Sequence, residues 1–367
     1  MATPTVTSIP SATSSQAAPS CTTAVPGKYG KVPLGSCNSY YSFDPSFEGN
    51  LAFAVLFGVS LIVHLVQAIT FKKRFCWVII VGAAWEAAGF ILRTLGTRDQ
   101  QQMGYSIAGQ LLFLLAPLWI NAFAYMLAAR LVYYVLPDQK VFRIKARVLT
   151  KIFVAIDIVC FLVQAAGGLM MSNTEVAADD PIVRNGQRVY MIGCGLQLGF
   201  VVIFCILMGR FYFKMIRAQR FDLNMKRVKA LVWVMYAVLL LIVTRIIFRL
   251  VEFGPGASYD NPILTNENYA FGLDALPMVL ALVLLNAVHP GIVLRGDNSD
   301  FPRLSRKEKK QLKREKKEAK KAAKEEKKQR KAGKTIQGSE VFILEERSMV
   351  ESPYDTDERT GARRERV

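Results

Sequence analysis

Apolar residues gather into seven long runs, and polar residues recur inside those runs at helical rather than alternating intervals. A bilayer core of about 30 Å needs roughly 20 apolar residues in a helix. The pattern predicts membrane spans near 47–70, 75–95, 105–132, 149–172, 188–213, 229–252 and 270–294. The fold class expected is an all-α, seven-transmembrane-helix bundle. Residues 1–45 form a Ser/Thr/Pro-rich tail, 46–295 the membrane domain, and 296–367 a charged tail. Residues 1–45 show no basic start followed by an apolar run, so the first span is expected to act as its own insertion signal. Pro117 and Pro277 are expected to kink spans three and seven.

Lys and Arg in the short loops set the orientation. Lys72, Lys73 and Arg74 follow span one, and Lys140, Arg143, Lys145 and Arg147 follow span three. Lys214, Arg217, Arg220, Lys226, Arg227 and Lys229 flank the connection from span five to six. The opposite loops hold fewer cations and carry Glu175, Asp179, Asp180, Asp260 and Glu267. The N-terminus is therefore expected outside and the C-terminus in the cytoplasm. Cys21 and Cys37 then fall on the oxidising side, where a disulfide between them and two free thiols are equally open.

Ionisable residues are rare inside spans because each costs about 2.5–3.5 kcal/mol at mid-bilayer, so they face the bundle interior and pair there. Glu86 and Arg93 lie seven residues apart in span two, on one helix face. Arg245, Arg249 and Glu252 share a face of span six. Asp157 and Gln164 do so in span four, and His64 and Gln67 in span one, while span seven carries Asp274, Asn286 and His289. At 1.5 Å of rise per residue, Arg93, Arg249, Glu252 and Asp274 fall near the outer end, and Glu86 and Arg245 deeper. His64, Asp157 and His289 fall toward the inner half. Two readings stay open for this set: buried pairs that only pin helices, or a shared polar cavity that also meets a substrate or proton.

The net charge of +18 invites a nucleic-acid reading, but its location argues against one. Residues 303–334 hold 17 Lys or Arg against 5 Glu. A basic segment just after a span is drawn to anionic inner-leaflet lipids by about 1 kcal/mol per cation, and retention signalling is the comparable alternative. No GxxxxGK[ST] loop occurs, which excludes the usual phosphate-binding route to ATP hydrolysis. With only two histidines, a zinc site of three protein ligands would need carboxylates, so neither a metal nor a cofactor is expected. A seven-span receptor remains the main competing class, although Arg130 lacks an Asp before it and a Tyr after it.

Several motifs run in order along residues 40–295. They are Phe43-Asp44-Pro45-Ser46 with Asn50, Glu86-Ala87-Ala88-Gly89-Phe90-Ile91-Leu92-Arg93, Ala116-Pro117, and Tyr125-Met126 with Arg130. Phe153 to Asp157 leading to Gln164, Gly167 and Gly168 follows, then Gly195-Leu196-Gln197, Arg245 with Phe248-Arg249 and Glu252, and Asn286 with His289-Pro290-Gly291. Together they resemble the fungal lipid-translocating exporter family. That resemblance implies outward movement of a sphingoid base, a sterol analogue or another lipophilic toxicant in a plasma membrane, while the basic tail keeps an endomembrane open through retention. For such a substrate, charge matching leads us to expect an ammonium head at Glu86, Asp157, Glu252 or Asp274, or a phosphate or hydroxyl-rich head at Arg93, Arg245 or Arg249. Asn266-Glu267-Asn268 stands where the family usually carries a His-Glu pair, and Phe43 and Phe90 stand where Tyr is common.

Overall fold

A computed structural model describes residues 23–34, 36, 38–141, 144–171, 181–218, 224–255 and 261–294, with helical positions scattered between Gln311 and Glu325. Cys21 and Cys37 lie outside the described residues. Six long helices precede a broken seventh: α1 (Phe47–Thr70), α2 (Trp77–Gly96), α3 (Met103–Val135), α4 (Ala146–Met171), α5 (Pro181–Arg217), α6 (Met225–Phe253) and α7 (Glu267–Val293). All seven are long and apolar enough to cross a membrane. α3 and α5 extend past their predicted ends, to 33 and 37 residues. Residues 302–367 form a separate unit.

The helices close a ring in chain order, each against the next and α7 against both α6 and α1, while α3 also reaches α6. α1 shows the solvent logic of the whole bundle. Asn50, Phe57, Ser60 and His64 are buried at spacings of three, four and seven, whereas Leu51, Val55, Val59, Ile62 and Val66 are exposed on its other face. Polar residues inside and apolar residues outside invert the arrangement of a water-soluble helix, and only lipid stabilises it.

Association in lipid depends on close packing rather than on hydrophobic burial. α4 and α5 approach backbone to backbone at Gly167 and Gly186. A Cβ on Gly167 would sit 2.5 Å from the Tyr190 nitrogen and 2.6 Å from the Gly186 carbonyl oxygen. Caps and breaks fit the local sequence. The Ser46 hydroxyl accepts from Gly49 N–H at 3.2 Å to start α1. Pro117 is accommodated within a continuous α3. In α7, Pro277 offers no N–H to the turn before it, and residues Phe271–Ala275 widen into a π-helical turn. The helix breaks again at Val288 and His289, where His289 Nδ1 accepts from Gly291 N–H at 3.1 Å and caps a final turn, Pro290–Val293.

The segment before α1 folds across one end of the ring. Gln100 N–H donates to the Tyr29 carbonyl at 2.9 Å, and Ser106 Oγ to the Tyr40 carbonyl at 2.9 Å. At the other end a two-residue hairpin, β1 (Lys140–Val141) with β2 (Ile144–Lys145), pairs antiparallel. Asp138 beside it accepts from Lys214 of α5 at 2.7 Å.

Substituting Gly167→Ala forces α4 from α5, and overpacking of this kind costs about 1–3 kcal/mol. The expected result is a lower melting temperature of the detergent-solubilised protein, while Gly168→Ala, where an added Cβ meets nothing within 4 Å, leaves it unchanged.

Candidate functional site

Toward the end of the ring that carries the N-terminal segment, three arginines from two helices converge on one phenylalanine. The guanidinium carbons of Arg93, Arg249 and Arg245 lie 5.2, 5.3 and 5.8 Å from the centre of the Phe113 ring. Each arginine also has a carboxylate. Arg93 Nη2 donates to Glu267 at 2.9 Å, and its Nε to Asn50 Oδ1 at 3.1 Å. Arg249 Nη1 donates to Glu252 at 2.7 Å, and both Arg245 and Arg249 pair with Asp274. Asp274 is fully buried in the π-helical turn, which places one carboxylate between two arginines of α6. Asn50 and Ser46 N–H close the set by donating to Glu267 at 2.8 and 2.7 Å.

Glu86 is the exception. It lies seven residues before Arg93 on the same face of α2 and is 1% exposed, yet neither carboxyl oxygen has a hydrogen-bond partner among the described residues. The arginines nearest to it are committed to Glu252, Glu267 and Asp274. A buried carboxyl without partners costs several kcal/mol unless something else satisfies it. Both oxygens of Glu86 are thus available to a donor that enters from outside the chain.

Beside this network runs a narrow crevice between α3, α4, α5 and α6. Arg245, Arg249, Gln164, Gln197, Tyr190 and Cys194 supply its polar wall. Gln164 Nε2 donates to Gln197 Oε1 at 2.9 Å across α4 and α5. The crevice therefore offers charged donors on one side and amide groups on the other.

The remaining residues singled out in the sequence do not join this cluster. Asp157 accepts from Asn121 Nδ2 at 3.2 Å, between α3 and α4. Gln67 Nε2 donates to the Asn286 carbonyl at 2.9 Å, and Asn286 Nδ2 to Ser60 Oγ at 2.9 Å, joining α1 to α7. His289 stacks on Phe71 with centroids 4.9 Å apart and lies 3.6 Å from Cys76 Sγ; His64 is buried among these helices. The set is divided among an ionic network with its crevice and two smaller polar clusters. Glu267, Asn50, Phe113, Asn121, Tyr125 and Gln197 were missed as site residues, although Asn50, Tyr125 and Gln197 stood within the motifs that carry the family resemblance. Asn121 and Tyr125 share a face of an otherwise apolar span, which was the available signal.

Outside the spans, burial pushes the Tyr41 phenol above its ordinary pKa against the opposing effect of Arg93. Its hydroxyl lies where a Cβ on Gly96 would be. The N-terminal segment is thereby seated over the end of α2 that carries Arg93.

Seven apolar helices around a buried, charge-matched interior define a polytopic membrane protein whose polar groups face one another rather than solvent. Residues 79–297 match the family described as RTA1 like protein, and the chain belongs to that family. It is 40% identical over 299 residues to "Probable lipid transporter atnI" of Emericella nidulans, covering 79% of this chain and 78% of that relative. It is 25% identical over 311 residues to "Sphingoid long-chain base transporter RSB1" of Saccharomyces cerevisiae, covering 74% and 78%. "Protein RTM1" of the same yeast is 30% identical over 207 residues, 55% of this chain and 63% of that relative. No solved structure matches.

Removing one partner of a buried ion pair costs about 3–5 kcal/mol because the other charge stays behind. Glu267→Ala is expected to destabilise the purified protein on that scale in a thermal melt, and the double change Arg93→Met with Glu267→Leu to recover most of the loss.

Proposed function

We propose that this chain translocates cationic amphipathic lipids, sphingoid long-chain bases being the reference class, with the ammonium head held at Glu86 while the tail stays among the helices or in lipid. The observation that carries this reading is the unmatched Glu86 carboxyl beside three arginines that already have carboxylates. An ammonium supplies the donors that Glu86 lacks. The hydroxyls next to such a head find partners in the crevice, at Gln164, Gln197, Arg245 and Arg249. Two relatives that align with most of this chain are named as lipid transporters, one of them for sphingoid bases, which supports the same substrate class.

The Lys and Arg of the connections after α1, α3 and α5 support an external N-terminus and a cytoplasmic C-terminus. In that orientation the ionic network lies toward the outer leaflet, and transport runs outward across a plasma membrane. The layout follows as an external tail over 1–45, a membrane domain over 46–295 and a cytoplasmic tail over 296–367. Residues 303–334 of that tail associate with anionic inner-leaflet lipids through their excess of Lys and Arg.

The test is export of a labelled long-chain base from intact fungal cells, comparing the native chain with Glu86→Gln at equal surface abundance. Loss of one charge-assisted hydrogen bond of at least ~1.5 kcal/mol lowers export about tenfold. An N-acetylated base, which has no ammonium, is expected to be carried poorly by both. Equal export by the native chain and Glu86→Gln would remove Glu86 from the head site. No export by either would refute the substrate class.

A further inference from the structure

A second buried cluster, apart from the arginines, carries unused bonding capacity of its own. Asp157 of α4 is 3% exposed, and Asn121 and Tyr125 of α3 are 2% and 1% exposed. Asn121 Nδ2 donates to Asp157 Oδ2 at 3.2 Å, and Asn121 Oδ1 has no hydrogen-bond partner among the described residues. The Tyr125 hydroxyl and the Asp157 carboxylate face each other. Rings of Phe153 and Phe204, 5.4 and 4.7 Å from the Tyr125 ring, wall the cluster from lipid.

Charge matching separates this place from the ionic network. Arg93, Arg245 and Arg249 each have a carboxylate, whereas Asp157 makes no ion pair among the described residues. The other titratable groups facing the cluster are Tyr125 of α3, Cys160 of α4 and Cys205 of α5, and none of them supplies a positive charge. The oxygens of Asn121, Tyr125 and Asp157, one of them from a carboxylate with no ion pair among the described residues, form a hard, singly charged ligand set. Such a set suits a compact monovalent cation rather than a divalent metal.

We propose that Asn121, Tyr125 and Asp157 form a binding site for one compact monovalent cation, H⁺ or Na⁺, distinct from the lipid head site. The site stands on this geometry alone. Its coupling role rests on the transport reading given above. Gln164 lies two turns from Asp157 on α4, about 10 Å along the helix, and its amide bonds Gln197 in the wall of the crevice. Occupancy at Asp157 is in this way linked through α4 to the crevice where the lipid head is handled.

The experiment uses the purified full-length chain in nanodiscs and reads binding without transport. Infrared spectra are recorded over a pH series with choline replacing Na⁺, and thermal melts are compared in NaCl and choline chloride at equal ionic strength. A protonated-carboxyl band that disappears in Asp157→Asn identifies the ion as H⁺. A saturable rise in melting temperature specific to NaCl, lost in Asp157→Asn, identifies it as Na⁺. Tyr125→Phe, which keeps the ring packing, is expected to shift that band or to weaken the Na⁺ dependence several-fold, and it serves where Asp157→Asn fails to fold. If the native chain shows neither signal, or if Tyr125→Phe changes neither, the site does not exist. Because the spectra and melts need no lipid substrate, a failure here is separate from a failure of long-chain base export.

Discussion

The fold depends on charge matching in a place where charge is expensive. Asn50, Arg93, Arg245, Arg249, Glu252, Glu267 and Asp274 come from α1, α2, α6 and α7, with Phe113 of α3 at the centre of the arginines. In lipid the helices gain little by hiding apolar surface from one another, so such cross-links and close backbone contacts set which helix meets which. Charges brought into the bundle impose a penalty that only good geometry offsets. The π-helical turn at Phe271–Ala275 belongs to this balance, because it presents Asp274 to Arg245 and Arg249 together.

Against that background, the two acidic residues left without cations acquire meaning. Glu86 sits beside the network but outside its pairing, and Asp157 sits in a separate cluster with Asn121 and Tyr125. Three buried arginines are paired while two buried carboxyls make no ion pair among the described residues, which is what the proposed reception of positive charge rests on. A cationic lipid head at one and a small cation at the other would give a transporter its substrate and its coupling ion. The crevice between α3, α4, α5 and α6 is lined by Arg245 and Arg249 of the network and by Gln164, two turns from Asp157 on α4.

Much of this was legible in the sequence because membrane helices have a strong signature. Apolar length gave the seven spans, and the helical spacing of Glu86 with Arg93 and of Arg245, Arg249 and Glu252 identified the polar faces. What periodicity does not reveal is which face meets which. Glu267 was missed because it stands at the mouth of α7, where a polar residue is ordinary, and only the fold brings it to Arg93. Depth along its span put Asp157 in the inner half with His64 and His289, but it does not reveal that α4 turns it toward Asn121 of α3. α3 and α5 run past their predicted ends because polar residues continue a helix past the apolar stretch that marks a span.

The central claim is that an amphiphile's cationic head enters the polar interior at Glu86. The most direct measurement is photocrosslinking of a long-chain base, carrying the reactive group next to its ammonium, to the purified chain in nanodiscs, with labelled peptides mapped by mass spectrometry. The account predicts labelling of the interior faces of α2 and α6, around Glu86 and Arg245, suppressed by excess unlabelled base. Labelling confined to the lipid-facing residues of α1, such as Val55, Val59 and Ile62, and insensitive to competitor, would contradict it.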